Sequence, residues 1–518
     1  MKIRFPILAI VLAAALPLCA EPLRVGHITV HALDVYSQEE AAHGGMYRLA
    51  DRLHRETRQQ VVAQFLLFHE GDVYSPARLE ETERNLRALS FLKSASVVAS
   101  VPHDSLVDIT VTTQDAWSIA PETQAGSRGG TNTFGADLQD SNLFGFGKQL
   151  GIGWSRGIDR SSLAVTYNDP AFFAPYWRAH VGVAQLSDGY DRRITLGRPF
   201  YSFTTPWATN FSYISLRQDD RLYRAGLLES RFAHAHRLVV ASYGIAANPS
   251  ETDAERFTAG IRFVDDEYTR TRATGSILPE SHEFRYAFLR YDSARNRFMK
   301  LNFINKDLRY EDFDLGRQYS VEAAVSPSFF GAPATSGFVR FAAGNGKPLS
   351  EDGFILAEAN VSTRIESGFR NALANASISY VHRDVGEHPR AFVARALVDS
   401  AWRPDANIQF FADGVTGLRG YPIHAFSGNR AFIVNLEERL YLGRELLQLA
   451  SPGVVAFIDA GDAANTGFAT KMDVGIGIRI GLPRSPRNLL RLDLAIPLQN
   501  DPLGRKRPMI SFSSGQAF

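Results

Sequence analysis

The residues able to do chemistry in this chain are few, and their types point to ion pairing rather than bond-making. Cys19, its one cysteine, lies in an apolar N-terminal stretch, and no Gly-X-Ser-X-Gly run supplies a nucleophile, so no catalytic residue and no enzyme activity is expected. His234 and His236 could touch one metal from one strand face. Without carboxylates or cysteines near them they read as loop or rim residues, and no metal or cofactor is expected. Arg419 is different, because it sits between glycines in Gly417-Leu418-Arg419-Gly420-Tyr421 and is followed by two apolar runs that carry carboxylates. Phe432, Val434, Leu436 and Leu440 share one strand face, which puts Asn435, Glu437 and Arg439 on the other; Val454, Ala456 and Ile458 likewise turn Asp459 to the opposite side. A guanidinium enclosed with such carboxylates would donate charge-assisted, bidentate hydrogen bonds, with Asp459 the first expected acceptor and Glu437 the second. A solvated arginine is the rival reading for an isolated Arg-Gly pair. Glu438 falls on the apolar face, which suits a position near a membrane rim.

The elements that hold these residues read as membrane-crossing strands. Met472, Val474, Ile476, Ile478 and Ile480 alternate with Asp473, Gly475, Gly477 and Arg479; Leu490, Leu492, Leu494 and Ile496 alternate with Arg491, Asp493 and Ala495; Leu150, Ile152 and Trp154 alternate with Gln149, Gly151 and Gly153. Such segments recur from about Trp117 to the end, farther than a soluble sandwich usually extends. After the N-terminal stretch no uninterrupted apolar run of about twenty residues occurs, so a crossing must be made by a closed barrel, whose backbone groups pair between strands. The chain has 518 residues, 41 Gly, 35 Phe, 18 Tyr and a net charge of +1, which argues against nucleic acid as a partner. Lys2 and Arg4 before the apolar stretch Phe5 to Leu18, with small Ala20 after it, predict a secretory signal peptide over residues 1–20, which includes Cys19. At the other end Ile510, Phe512, Ser514, Gln516 and Phe518 share one face of a last strand, although Ser514 and Gln516 stand where apolar groups are usual.

Residues 21–115 have another texture. Arg24 to Val30 predicts a strand, Thr57 to Phe68 a helix with Val61, Val62, Phe65 and Leu66 on one side, and Ser75-Pro76 the start of a second helix carrying Leu79, Leu86 and Leu89. Two alternating strands follow, with Ala95 to Val101 in the first and Val107 to Val111 in the second, joined by a turn over Pro102 to Ser105. The link Val35 to Glu56 leaves room for an extra helix or loop, with Arg48 to Arg58 as a solvated surface helix.

This order, with Phe65-Leu66-Leu67-Phe68-His69-Glu70-Gly71-Asp72 and Leu86-Arg87-Ala88-Leu89-Ser90-Phe91-Leu92, resembles a polypeptide-transport-associated (POTRA) domain. Asn142-Leu143-Phe144-Gly145-Phe146-Gly147, Asn168-Asp169-Pro170-Ala171-Phe172-Phe173, the Gly417 to Tyr421 run, Asn435-Leu436-Glu437-Glu438-Arg439 and Phe457-Ile458-Asp459-Ala460-Gly461 resemble the barrel of the BamA/TamA superfamily, the bacterial surface antigens. The resemblance implies a mainly β fold: a small α+β POTRA domain in the periplasm, then a transmembrane antiparallel β-barrel of about sixteen strands or more over 116–518, in the bacterial outer membrane. It implies that the Gly417–Tyr421 loop folds back into the lumen. It also implies assistance to the insertion, assembly or translocation of proteins, with unfolded outer-membrane or secreted clients and outer-membrane lipids as partners. A two-partner-secretion-like pore, a lipid-handling barrel and a passive barrel are the alternatives. In the family a weak seam between first and last barrel strands opens sideways. Pro121, in a first strand from about Trp117 to Gly126, and Gly515 would limit pairing there, with turn or kink duty as the rival reading; Phe518 would close the last strand. More than eleven candidate strands precede Arg419, and Arg221 to Val264 is read as an extracellular insertion.

Overall fold

The computed structural model describes residues 22–35, 55–128, 131–446, 449–482 and 489–517. The expected signal peptide with Cys19, most of the Val35–Glu56 link and Phe518 lie outside them.

A small α+β unit comes first. Strands β1 (Arg24–Leu33), β2 (Leu92–Ala99) and β3 (Leu106–Asp115) form a sheet in the order β1-β3-β2, with β1 parallel and β2 antiparallel to β3. The β2–β3 turn is two residues long, Asp104 and Ser105 at φ 47° and 63°, which matches the twist a tight hairpin requires. Helix α1 (Gln59–Ala63) is shorter than the apolar spacing predicts, and Phe65 and Leu66 follow it on the same core. Helix α2 (Pro76–Arg87) begins as its sequence dictates: the Ser75 hydroxyl accepts from the Arg78 N–H at 3.3 Å and proline occupies the first turn. Val61, Val62, Phe65, Leu79, Leu86, Phe91, Leu92, Ile109 and Val111 make the core.

From β4 (Ile119–Arg128) and β5 (Thr131–Asp140) onward the chain forms one closed antiparallel barrel of twenty strands among the described residues. Alternation explains it residue by residue. In Arg430–Tyr441 every second side chain from Ala431 to Tyr441 is buried, while Leu436, Glu438 and Leu440 are exposed; in Leu489–Pro497, Leu492, Leu494 and Ile496 are exposed and Arg491, Asp493 and Ala495 buried. Leu150, Ile152, Trp154, Ile476 and Ile478 extend this outward apolar belt, a surface that only hydrocarbon accommodates over such an area.

Three expectations change. Arg221 to Val264 is no insertion: it belongs to the long wall strands Trp207–Arg224, Leu227–Ala247 and Asp253–Arg270, paired along their length with one register shift at Leu222/Tyr223, and it is one reason why the barrel exceeds sixteen strands. The last strand, Met509–Ser514, stops before Gly515, whose φ is 79°, so Gly515 lies past the strand rather than inside it. As a consequence Gln516 leaves the outer face and turns inward, where its side chain bonds Arg479, the Ile304 carbonyl and the Tyr441 hydroxyl.

Among the described residues two segments fill the lumen. From the end opposite the small unit, residues 403–429 fold inward around a short ladder of Phe410–Ala412 with Phe426–Gly428, and Leu418, Tyr421, Ala425 and Phe426 pack on the inward residues Ala431, Ile433 and Ala463. From the end nearest the small unit a hairpin enters, Phe298–Leu301 paired with Glu311–Asp314; its Leu301, Ile304 and Leu315 pack on Phe354, Val381, Ala391 and Val393. Helix α2 lies across this mouth. Glu81 accepts from the Phe203 N–H, Asn85 donates to the Tyr201 carbonyl, and Arg87 reaches Asp312 of the hairpin with both Nε (2.8 Å) and Nη2 (2.6 Å).

Candidate functional site

The site is an ion cluster sealed in the lumen between these two segments. The wall strands Arg430–Tyr441, Ser451–Ala464, Lys471–Gly481 and Leu489–Pro497 are neighbours, and each turns charged side chains inward by the two-residue period of a strand. Arg419 descends onto them from the inserted loop. Its Nε donates to Asp459 Oδ2 and its Nη2 to Asp459 Oδ1, both at 2.8 Å, the bidentate geometry of a guanidinium on a carboxylate; its Nη1 donates to Glu437 Oε1 at 2.9 Å. The guanidinium carbon also lies 3.4 Å from the centre of the Phe457 ring.

Glu437 is the hub. Oε1 accepts from Arg419 and, at 2.9 Å, from Arg479; Oε2 accepts from Arg439 Nε and Nη2 at 3.0 and 2.6 Å. Arg479 then donates to Asp493 at 2.5 Å, and Asn435 bridges Asp459 to the Gly417 carbonyl with two contacts of 2.7 Å. The side chains of Arg419, Arg439, Arg479, Glu437, Asp459 and Asp493 are each at most 2 % exposed. Three cations face three anions there, the arrangement that makes burial of charge tolerable; removing one member strands the rest in a dry interior.

Gly420 is required by close approach: a Cβ there would lie 2.6 Å from Asp473 Cβ and 3.1 Å from the Pro497 backbone nitrogen. Tyr421 is fully buried, its hydroxyl 3.0 Å from both the Met472 carbonyl and Gln499 Oε1. The loop residues Gly417, Leu418, Arg419, Gly420 and Tyr421 and the carboxylates Asp459 and Glu437 are therefore brought together. At the seam, Pro121 pairs with Leu138 of β5, and Gly515 donates its N–H to the Leu489 carbonyl.

Sequence reasoning did not foresee the second partner of the cluster. Arg439 Nη1 donates to the Ile304 carbonyl at 2.7 Å, so the hairpin from the opposite mouth is joined to the same ion network that holds the loop. Inward-facing Arg479, Asp493 and Arg439 were visible in the alternation; the hairpin carried no signal, because its contribution is a backbone carbonyl. The reading of His234 and His236 as remote from carboxylates is also corrected, since adjacent strands bring Asp220 and Asp266 within 2.9 Å of their rings.

No family model and no curated protein matches this chain. Among solved structures it is similar to BamA from Haemophilus ducreyi lacking POTRA domains 1–3, at 12% identity and TM-score 0.36 over 94% of this chain and 84% of that one. It is similar to CdiB from Acinetobacter baumannii at 12% identity and TM-score 0.47, over 95% and 74% of the two chains, and to CdiB from Escherichia coli at 11% and 0.43, over 95% and 76%. These likenesses are distant, and none of them decides what this chain does.

The chemistry of the ion cluster is mechanical. Its arginines and carboxylates are paired with one another. What it can do is hold two inserted segments in one place.

Proposed function

We propose that this protein is an outer-membrane barrel of the BamA/TamA type, with a signal peptide over 1–20, one periplasmic POTRA domain over 21–115 and the barrel over 116–518, and that it assists the insertion, assembly or translocation of other proteins. The observation that carries the reading is the seam. Among the described residues Met509–Ser514 and β4 are joined at one registered pair, Phe512 with Ser127, whereas β4 pairs with β5 at all ten of its residues. A β-ladder is stabilised pair by pair, so this junction is where the wall parts at least cost. The lumen is filled from both ends, which favours a lateral exit over an axial one. Unfolded clients would engage the small sheet at the outer edge of β2, which no second strand pairs among the described residues, by adding a strand; the outer edge of β1 is already bonded by residues 71–74. In this reading Pro121, within β4, and Gly515, which ends the last strand at Ser514, limit pairing at the seam; Phe518 lies outside the described residues.

The test is a disulfide lock. Cysteines at Ser127 and Phe512, oxidised in cells, are expected to abolish function, read as loss of particular barrels or secreted proteins from a quantitative outer-membrane and culture-medium proteome. A locked protein that leaves that proteome intact sinks lateral opening. An unchanged proteome in a deletion strain, with altered lipid composition, would move the assignment to lipid handling.

A further inference from the structure

Away from the ion cluster, three long wall strands bring two imidazoles and two carboxylates together. His236 stands directly across from Asp266, and His234 across from Tyr268, in a register without shifts at those positions. The ring nitrogens His234 Nε2 and His236 Nδ1 converge on a single oxygen, Asp266 Oδ1, at 2.9 and 2.8 Å, and these ligand atoms lie within 4.8 Å of one another. The other nitrogen of His234, Nδ1, is 2.7 Å from Asp220 Oδ2. Tyr268 stacks on the His234 ring at 4.4 Å and fixes its plane, and the Tyr268 hydroxyl in turn accepts from Asn407 of the inserted loop.

Each ring nitrogen of His234 thus has a carboxylate oxygen within hydrogen-bond distance, and His236 shares one of those oxygens. Two ring nitrogens and one carboxylate oxygen converging in this way are also the ligand set of a divalent ion. We propose that His234 Nε2, His236 Nδ1 and Asp266 form a three-point site for one divalent transition-metal ion of the zinc class. Asp220 is the positioning residue: by accepting from His234 Nδ1–H it selects the tautomer that presents Nε2, the carboxylate–histidine–metal relay seen wherever such ligands are held firmly. His236 is about a quarter exposed, with 24% of its side chain accessible, so water can reach the ion and complete its coordination. The ion would tie the strands Leu227–Ala247 and Asp253–Arg270 together beside the base of the inserted loop.

The full chain, untagged, refolded in detergent and dialysed against chelator, is titrated with zinc chloride by calorimetry, and its metal content is measured after desalting. One equivalent is expected. His236→Gln and Asp266→Asn, compared as folded heat-modifiable protein, should each lower zinc affinity at least tenfold, and Asp220→Asn by about tenfold. Absence of stoichiometric zinc in the wild type, or undiminished uptake in both ligand variants, overturns the site. Should those variants fail to fold, cobalt(II) added to the wild type decides: visible absorption of a nitrogen- and oxygen-ligated cobalt centre supports the proposal, and its absence ends it.

Discussion

The two segments that fill the lumen reach the same ion cluster by opposite means. The loop over 403–429 commits a side chain, Arg419, whose charge is matched twice, by Asp459 and by Glu437. The hairpin Phe298–Asp314 commits backbone, the Ile304 carbonyl that accepts from Arg439 and Gln516, and supports it with apolar packing. A charged anchor is costly to leave half-made, so the loop is held in an all-or-none manner. The carbonyl is one of the contacts that Arg439 makes, so the Arg439–Glu437 pair does not depend on the hairpin. The hairpin also touches the small unit and the end of the last strand. It meets α2 through Arg87–Asp312 and Lys300–Glu83, while Arg84 lies 3.8 Å over the Phe298 ring; at its other side it meets Gln516, two residues past the seam strand. The loop is thus held by a charged anchor, and the hairpin is the element that joins the small unit to the end of the last strand.

The largest expected effect breaks the loop's anchor. Arg419→Ala leaves Asp459 and Glu437 short of a cation in a dry interior and should cost about 3–5 kcal/mol, seen as loss of the heat-resistant folded band and a lower urea midpoint in micelles. Arg419→Lys keeps the charge but loses the fork, and should fall between the two. If Arg419→Ala is as stable as wild type, the contrast between anchors is wrong.

Next comes the hairpin. A Cβ on Gly481 would lie 2.5 Å from Asp307 Oδ2, so Gly481→Val should push the hairpin tip out of the lumen. Planar-bilayer conductance is expected to rise while the folded band persists; an unchanged conductance would show that the hairpin does not seal the barrel.

The same tip gives a pH dependence. Burial pushes the Asp307 carboxyl up to about 6, with the Ser451 hydroxyl opposing the shift and Glu445 reinforcing it. A raised carboxyl pKa means the docked hairpin holds its proton longer than a released one. Docking is therefore firmest below about pH 4, weakens as pH rises to about 6 and is constant above that, by at most about 3 kcal/mol. Asp307→Asn should flatten the curve, read as conductance or proteolysis of the hairpin between pH 4 and pH 8.

The smallest effect is at the mouth. Lys300 pairs with Glu83 at 2.9 Å but is 43% exposed, so Lys300→Ala should cost less than about 1 kcal/mol and lose even that in high salt. A larger loss would mean that the α2 contact carries more of the hairpin's position than its exposure allows.

How much of this was legible follows from the kind of interaction. The facing of Glu437, Arg439, Asp459, Arg479 and Asp493 follows from a period of two, which the apolar residues between them make unambiguous. The core of the small unit was equally plain, since Val61, Leu79, Leu86 and Ile109 sit where spacing puts them. Gln516 was misjudged because alternation assumes an unbroken strand, and Gly515 breaks it at φ 79°. Residues Arg221 to Val264 looked like an insertion because their outward face carries polar groups such as Arg237, and a strand that continues past the apolar belt loses the contrast that marks it.

By itself, then, the sequence determined local matters: which residues alternate, which side of each strand is charged, where α2 starts and that a loop arginine had carboxylates available. Only the tertiary structure decided how many strands close the barrel, that a second segment enters from the other mouth, and that His234 and His236 have carboxylate neighbours. Periodicity is encoded between residues two to four apart, whereas Ile304 on Arg439 and Asp266 on His236 are contacts between distant positions, and closure of the chain on itself alone brings them within reach.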